Sequence, residues 1–382
     1  MSGAGWAAHR LPRGLHPLAW WLWALGLAVA ASRTSNPLLL GAIFAVAVWV
    51  VLARRTDGPW ARAFRFYLIA AALVVTLRVL FRVLFAGGGT GTVLLHLPRV
   101  PLPAGTGISL LGDVTLDAVL GGFYDGLRLA TMLVCLGAAN ALANPRRLLR
   151  SMPPALHEVS TAVVVALSVF PQLAESLVRV RRARRLRPHP DSGRVRALLG
   201  VVVPVLEDAL DRSLLLAASM DSRGYGRRGG RSSAAVATTG ALLVAGLCGI
   251  CVGVYALLDA TTPRFLAGPV LLAGVVVGLL GLGLAGRGVQ RTAYRPDRWR
   301  LPELLVVACG VAVAVVMWQE ARIDPSVAYP SVSPPVWPQL PPSALIGVLV
   351  GLLPAWLAPP PESLGEAVTA QPTRRRLQEA LS

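Results

Sequence analysis

The chain has 382 residues, 54% of them hydrophobic and only 15% charged, with a mean hydropathy of +0.60. That balance excludes a soluble domain of this length and implies an integral membrane protein. There is no lysine, so all 37 basic residues are arginine. A phosphate-binding loop ending in G-K-[ST] and a Schiff-base enzyme are thereby excluded, and any nucleotide hydrolysis that drives this protein belongs to another chain.

A helix rises about 1.5 Å per residue and the hydrocarbon core of a bilayer is about 30 Å thick, so a span needs roughly twenty apolar residues. In chain order the predicted spans are 18–31, 37–52, 64–85, 116–142, 235–258, 267–286, 303–319 and 343–357, the last short and carrying Pro354. The start, "HRLPRGLHPLAWWLWALGLAVAAS", has the basic flank and small residues of a signal peptide. The short gap to the next apolar run fits an uncleaved first span in a tight helix hairpin better, with Trp20 and Trp21 in an interfacial belt.

Arginine placement orients these spans, because short cytoplasmic loops collect positive charge. "ARRTDGPWARAFR" and "GRGVQRTAYRPDRWR" are strongly basic, whereas "SRTSNP", the Gly/Pro-rich stretch 86–115, "DATTPR" and 320–342 hold one arginine each. Eight spans with both ends inside satisfy every loop. The net charge of +18 is then a topology signal and not a nucleic-acid footprint. The expected organisation is all-α: a four-span membrane region at 1–142, a cytoplasmic segment at 143–234, a C-terminal membrane region of about four spans at 235–362 and a cytoplasmic tail at 363–382.

Within the spans, Arg78 and Arg82 lie one turn apart near the outer end of the third, and Asp125 lies at comparable depth in the fourth. An unpaired ion there is costly, so a structural ion pair is expected, with a proton or ion path as the alternative. The four cysteines, Cys135, Cys248, Cys251 and Cys309, sit in apolar runs and read as packing groups. Cys248 and Cys251 share a helix face, but no second Cys or His pair completes a metal site, and the five histidines are scattered.

The segment 144–231 is neither an ordinary loop nor an ordinary span. It opens with a turn at Asn144–Pro145 and breaks at Pro153–Pro154. It then runs as helix, with a kink at Pro171, to the break at Pro188–Pro190. A second helix is expected from near Ser192, pausing at Pro204 and ending at Gly224. Both are too apolar for water and too charged for good spans, which suits long helices lying under the membrane; insertion of 154–170 as a re-entrant or spanning element is the competitor. Each ends with an acid followed by arginine, Glu175 then Arg184 and Asp221 then Arg223. Helix capping explains arginine and glycine at such ends. Two similar ends on one membrane side, however, also suit docking to two similar partner subunits through guanidinium hydrogen bonds.

At these residues the sequence resembles the transmembrane T component, the EcfT and CbiQ-like proteins, of energy-coupling-factor (ECF) importers. That family carries two short Ala-Arg-Gly motifs at the ends of cytoplasmic coupling helices. Ala183-Arg184-Arg185 corresponds to the first, with Arg185 in place of glycine, and Ser222-Arg223-Gly224 to the second, with Ser222 in place of alanine. The resemblance covers about residues 17–258, including "NPLLL" and "NPRRLLRSMP".

It implies a multi-pass protein of the bacterial cell membrane with coupling helices between spans four and five. Its partners would be two cytoplasmic ABC ATPase subunits, which bind the ATP, and a small substrate-binding membrane subunit for a vitamin or metal ion. The chain itself would be no enzyme and would hold no cofactor. Motion of the ATPases would pass through Arg184 and Arg223 into the coupling helices. The rival from another class is a stand-alone secondary transporter using Arg78, Arg82 and Asp125. A membrane-embedded enzyme ranks below both, because H-E-x-x-H, G-x-S-x-G and paired acids at matching depth are missing from the sequence.

Overall fold

Proline and a polar residue start the first two helices. In a computed structural model, His16 accepts a hydrogen bond from the Leu18 amide ahead of Pro17, and Asn36 accepts one from the Leu38 amide ahead of Pro37; a capping acceptor with proline at the first helical position supplies the turn that begins each helix. The structure describes residues 14–55, 63–85, 91–98, 100–101, 109–110, 112–186, 194–222, 232–259, 263–286 and 299–359. Helices α1 (Pro17–Ser32), α2 (Pro37–Arg54) and α3 (Phe64–Phe85) are followed by four short strands, β1 (Val93–Leu95), β2 (Val100–Pro101), β3 (Ser109–Leu110) and β4 (Val114–Thr115). β1 pairs antiparallel with β4, and β2 with β3, so the Gly/Pro-rich stretch carries a little strand structure in an otherwise helical protein. Then come α4 (Leu116–Leu142), α5 (Pro145–Arg150), a 3-10 turn at Pro154–Leu156, α6 (His157–Arg185) and α7 (Arg194–Ser222). The chain continues with α8 (Ser233–Leu258), α9 (Arg264–Gly286), α10 (Leu301–Ile323), α11 (Pro325–Ala328), α12 (Pro342–Leu349), a 3-10 turn at Val350–Leu352 and α13 (Pro354–Leu357).

Among the described residues seven helices are long and apolar enough to cross a membrane: α2, α3, α4, the stretch Val159–Ala183 of α6, α8, the stretch Phe265–Gly286 of α9, and α10. This is a multi-pass membrane protein. Two of the eight expected spans differ in form. α1 has 16 residues, about 24 Å of helix against a core about 30 Å thick. The predicted span 343–357 is three pieces, because Pro354 has no amide to continue the preceding turn. The carbonyls beside that break are satisfied by side chains from elsewhere: Trp23 Nε1 donates to Gly351 O at 3.2 Å and Arg54 Nε to Ala355 O at 2.6 Å, so the break leaves these acceptors paired.

Packing divides the chain into two compact units, Met1–Leu148 with Asp297–Ser382, and Leu149–Pro296. These cut across the expected linear regions: α10 to α13 fall with the N-terminal helices, while α8 and α9 fall with α6 and α7. In the first unit Trp23, Leu27, Ile43, Val134, Val313 and Met317 are fully buried. α1 meets α10 at two glycines, where a Cβ on Gly26 would lie 2.4 Å from Gly310 O and one on Gly310 2.6 Å from Trp23 Cα. Small residues at such crossings replace the water-driven term that helices in lipid lack. Buried Thr34 and Asn36 tie the α1–α2 hairpin to the C-terminal segment: Thr34 Oγ1 donates to Ala328 O at 2.7 Å, and Asn36 Nδ2 to Val327 O at 2.9 Å and Gln339 O at 2.7 Å.

In the second unit α8 and α9 form a close hairpin, in which a Cβ on Gly246 would lie 2.5 Å from Gly278 Cα and one on Gly249 2.8 Å from Gly274 Cα. α6 continues through Pro171 and α7 through Pro204. The expected pause at Pro204 is corrected: a proline removes one backbone hydrogen bond, and the apolar turns on both sides of it stay helical.

Candidate functional site

Two places gather charge. The first lies between α3 and α4, where Gly122 and Gly126 bring the helices together; a Cβ on Gly126 would sit 3.0 Å from Val75 Cα and one on Gly122 3.0 Å from Arg82 Cβ. Arg82 Nη1 is 4.0 Å from Asp125 Oδ2, with both side chains about half exposed. Arg78, one turn away, lines the same cavity of about 680 Å³ with Arg82, Thr115, Asp117 and Asp125.

The second lies on α6 and α7. Ala183 is exposed in the last turn of α6, whose backbone stays helical through Arg184 and Arg185 before Leu186 N donates to Ala183 O at 3.3 Å. Ser222 is the exposed last residue of α7, its hydroxyl donating to Ser219 O at 2.9 Å. Arg223 and Gly224 lie outside the described residues, and with them the expected cap at Gly224.

Where α6 meets α7 the structure joins four polar residues that sequence reading did not connect. Ser176 on α6, 2% exposed, hydrogen-bonds the Asp208 carboxylate on α7. Arg212 Nε donates to Asp208 Oδ1 at 3.0 Å, and Arg212 Nη1 to Gln172 Oε1 at 3.3 Å. The Ser176 hydroxyl, then Arg212, with Arg179 adding to the field, hold the Asp208 carboxyl below its ordinary value. The signal present in the sequence was the spacing: Gln172 with Ser176, and Asp208 with Arg212, each stand four apart on one helix face. That the two faces meet is not readable from spacing.

No group of three or more His, Cys, Asp or Glu able to hold a metal occurs among the described residues. Cys248 and Cys251 are free and exposed on α8, while Cys135 and Cys309 are free and buried.

A family model for the cobalt transport protein CbiQ matches residues 8–233. That is more than half of the chain, and the chain belongs to this family. The match begins ahead of α1 and stops at the first residue of α8, so α8 to α13 lie beyond it. A search of curated proteins finds no match. Membership makes the protein a membrane component of a transport system.

Proposed function

We propose that this member of the CbiQ family is the transmembrane coupling subunit of an energy-coupling-factor importer in a bacterial cell membrane, with both termini cytoplasmic. It would pass the ATP-driven motion of two cytoplasmic ATPase subunits to a small membrane subunit that binds a vitamin or metal ion. The observation that carries this reading is the pair α6 and α7: two helices of 29 residues each, within the family match, that end at Arg184–Arg185 and immediately before Arg223.

A guanidinium at a helix end presents several directed donors to carboxylates and carbonyls of a partner. When ATP draws the ATPases together, Arg184 and Arg223 are the points at which their motion enters the scaffold. The chain supplies no nucleotide chemistry of its own in this scheme, and ATP stays on the partners. α6 is also apolar enough to enter the bilayer over Val159–Ala183, and in this reading its arginine-rich end would lie at the membrane surface.

Co-purification tests the proposal. Tagged chain should retain both ATPases and the substrate-binding subunit, and the double variant Arg184→Ala/Arg223→Ala should release the ATPases. Retention unchanged in the double variant, at equal protein yield, would refute it. The cavity beside Arg78, Arg82 and Asp125 favours the second reading, a secondary transporter. That reading requires substrate uptake by vesicles containing this chain alone.

A further inference from the structure

We propose that Gln172 and Ser176 on α6 and Asp208 and Arg212 on α7 form a pivot that pins the two helices at one point and in one register. They would thereby act as positioning residues for force transmission. This rests on the coupling reading above.

Burial locates the contact. Ser176 is 2% exposed, whereas Phe170 and Val178 on its own helix are 75% and 47% exposed and Leu206, Leu210 and Leu214 on α7 are 55%, 62% and 68% exposed. A small hydroxyl residue, more buried than the half-buried Leu173 and Leu177 beside it, marks a point of contact. Half-buried apolar residues, Val169, Leu173 and Leu177 on α6 and Val201, Val205 and Ala209 on α7, flank the polar group, and apolar contacts are non-directional and do not by themselves fix register. Register is set by directional bonds, which lose most of their strength when bent or stretched.

Two such links cross the gap, Ser176 to Asp208 and Gln172 to Arg212, and Arg212 closes the square by its bond to Asp208. On each helix the two members are one turn apart, in opposite chain order: 176 faces 208 while 172 faces 212. A slip of one turn, about 5.4 Å, would break both links, whereas a small change of crossing angle would keep them. The square therefore holds register and permits tilt.

Its position sets the lever arms. Asp208 is the central residue of α7, 14 residues from Arg194 and 14 from Ser222, about 21 Å of helix on either side. Ser176 divides α6 unequally, 9 residues from Arg185 and 19 from His157, about 13 Å and 28 Å. A displacement at the arginine end of α6 thus arrives at its far end about doubled, and in α7 about unchanged.

The test uses the assembled importer and the isolated chain. Asp208→Asn/Arg212→Gln should keep ATPases bound and hydrolysing but lower substrate moved per ATP tenfold or more, with Arg212→Lys intermediate. In the isolated chain, spin labels at Phe170→Cys and Leu214→Cys, in a Cys248→Ser/Cys251→Ser background, should give a narrow distance distribution. The same Asp208/Arg212 substitutions should broaden it. Joining Ser176→Cys to Asp208→Cys with a short bifunctional thiol reagent should raise transport above that of the unjoined double variant, to within about twofold of the native chain.

An unbroadened distribution, unchanged transport per ATP, or no gain in transport from the cross-link each overturns the pivot. If the unsubstituted chain holds no ATPase although the labels report a fixed crossing, the coupling reading has failed, and the proposed role with it, while the crossing geometry stands.

Discussion

Arg82 Nη1 stands 4.0 Å from Asp125 Oδ2 across the seam of α3 and α4, at the point where Gly122 leaves no room between the Arg82 side chain and the α4 backbone. The glycines set the approach of the helices, and the ion pair stands in the wall of the cavity that remains beside them. Because both side chains are about half exposed, a hydrated surface would make the pair worth less than about 1 kcal/mol, whereas lipid around it would make an unpaired charge much more costly. Asp125→Ala should therefore lower the thermal midpoint more in nanodiscs than in detergent, and the exchange Arg82→Asp/Asp125→Arg should recover at least half of the loss. No recovery in either medium would show that the two charges act separately.

The contact of α1 with α10 leads to a steric prediction. Gly310→Val should push α10 away from Trp23 and abolish monodisperse protein. Gly41→Val, on a face of α2 with nothing within 4 Å of the added carbon, should leave the yield unchanged. Size-exclusion profiles of the two variants at matched expression make the comparison.

Asn36 does three things at one buried position: its carbonyl caps α2, and its amide serves Val327 O and Gln339 O. Asn36→Ala removes the cap and strands two acceptors, a loss of about 2–4 kcal/mol. Asn36→Asp keeps the cap but puts a negative charge against two carbonyls. Thermal unfolding followed by tryptophan fluorescence should therefore rank the native chain above both variants.

Docking through the helix ends predicts a graded series. Each of Arg184→Ala and Arg223→Ala removes charge-assisted bonds worth about 1.5–3 kcal/mol, so ATPase affinity should fall about tenfold or more for each. Binding of purified ATPase to immobilised chain measures this, with protein stability tracked separately because arginine near a helix C-terminus in general also complements the helix dipole.

Acid should loosen the α6–α7 crossing. The Asp208 carboxyl is held below its ordinary value of 3.8, first by the Ser176 hydroxyl and then by Arg212. A group depressed in the folded state stabilises above its unfolded pKa, and that contribution is lost as pH falls through the folded value. Label distances across the crossing should hold steady from pH 7 to about pH 4 and broaden only below the ordinary aspartate range. Asp208→Asn should show no such transition.

Much of the molecule was readable before folding was considered. Runs of leucine, valine and alanine determine membrane helices because backbone groups in lipid must bond within their own segment. Asn-Pro at 36–37 and 144–145 starts helices because proline pre-sets the first turn. The long helices α6 and α7 were legible for the same local reasons.

Partner choice was decided only by the tertiary structure. Nothing in "PPSALIGVLVGLLPAWL" says that it will break into short helices whose free carbonyls Trp23 and Arg54 cap. Nor does anything in it say that α10 to α13 will join the N-terminal helices while α8 and α9 pair apart. The reason is physical: apolar helices in a bilayer gain almost nothing from hydrophobicity in choosing one neighbour over another. The choice falls to close approach at glycines such as Gly26 with Gly310, and to single directional bonds such as Ser176 with Asp208. Each depends on two residues far apart in the chain meeting in the same place.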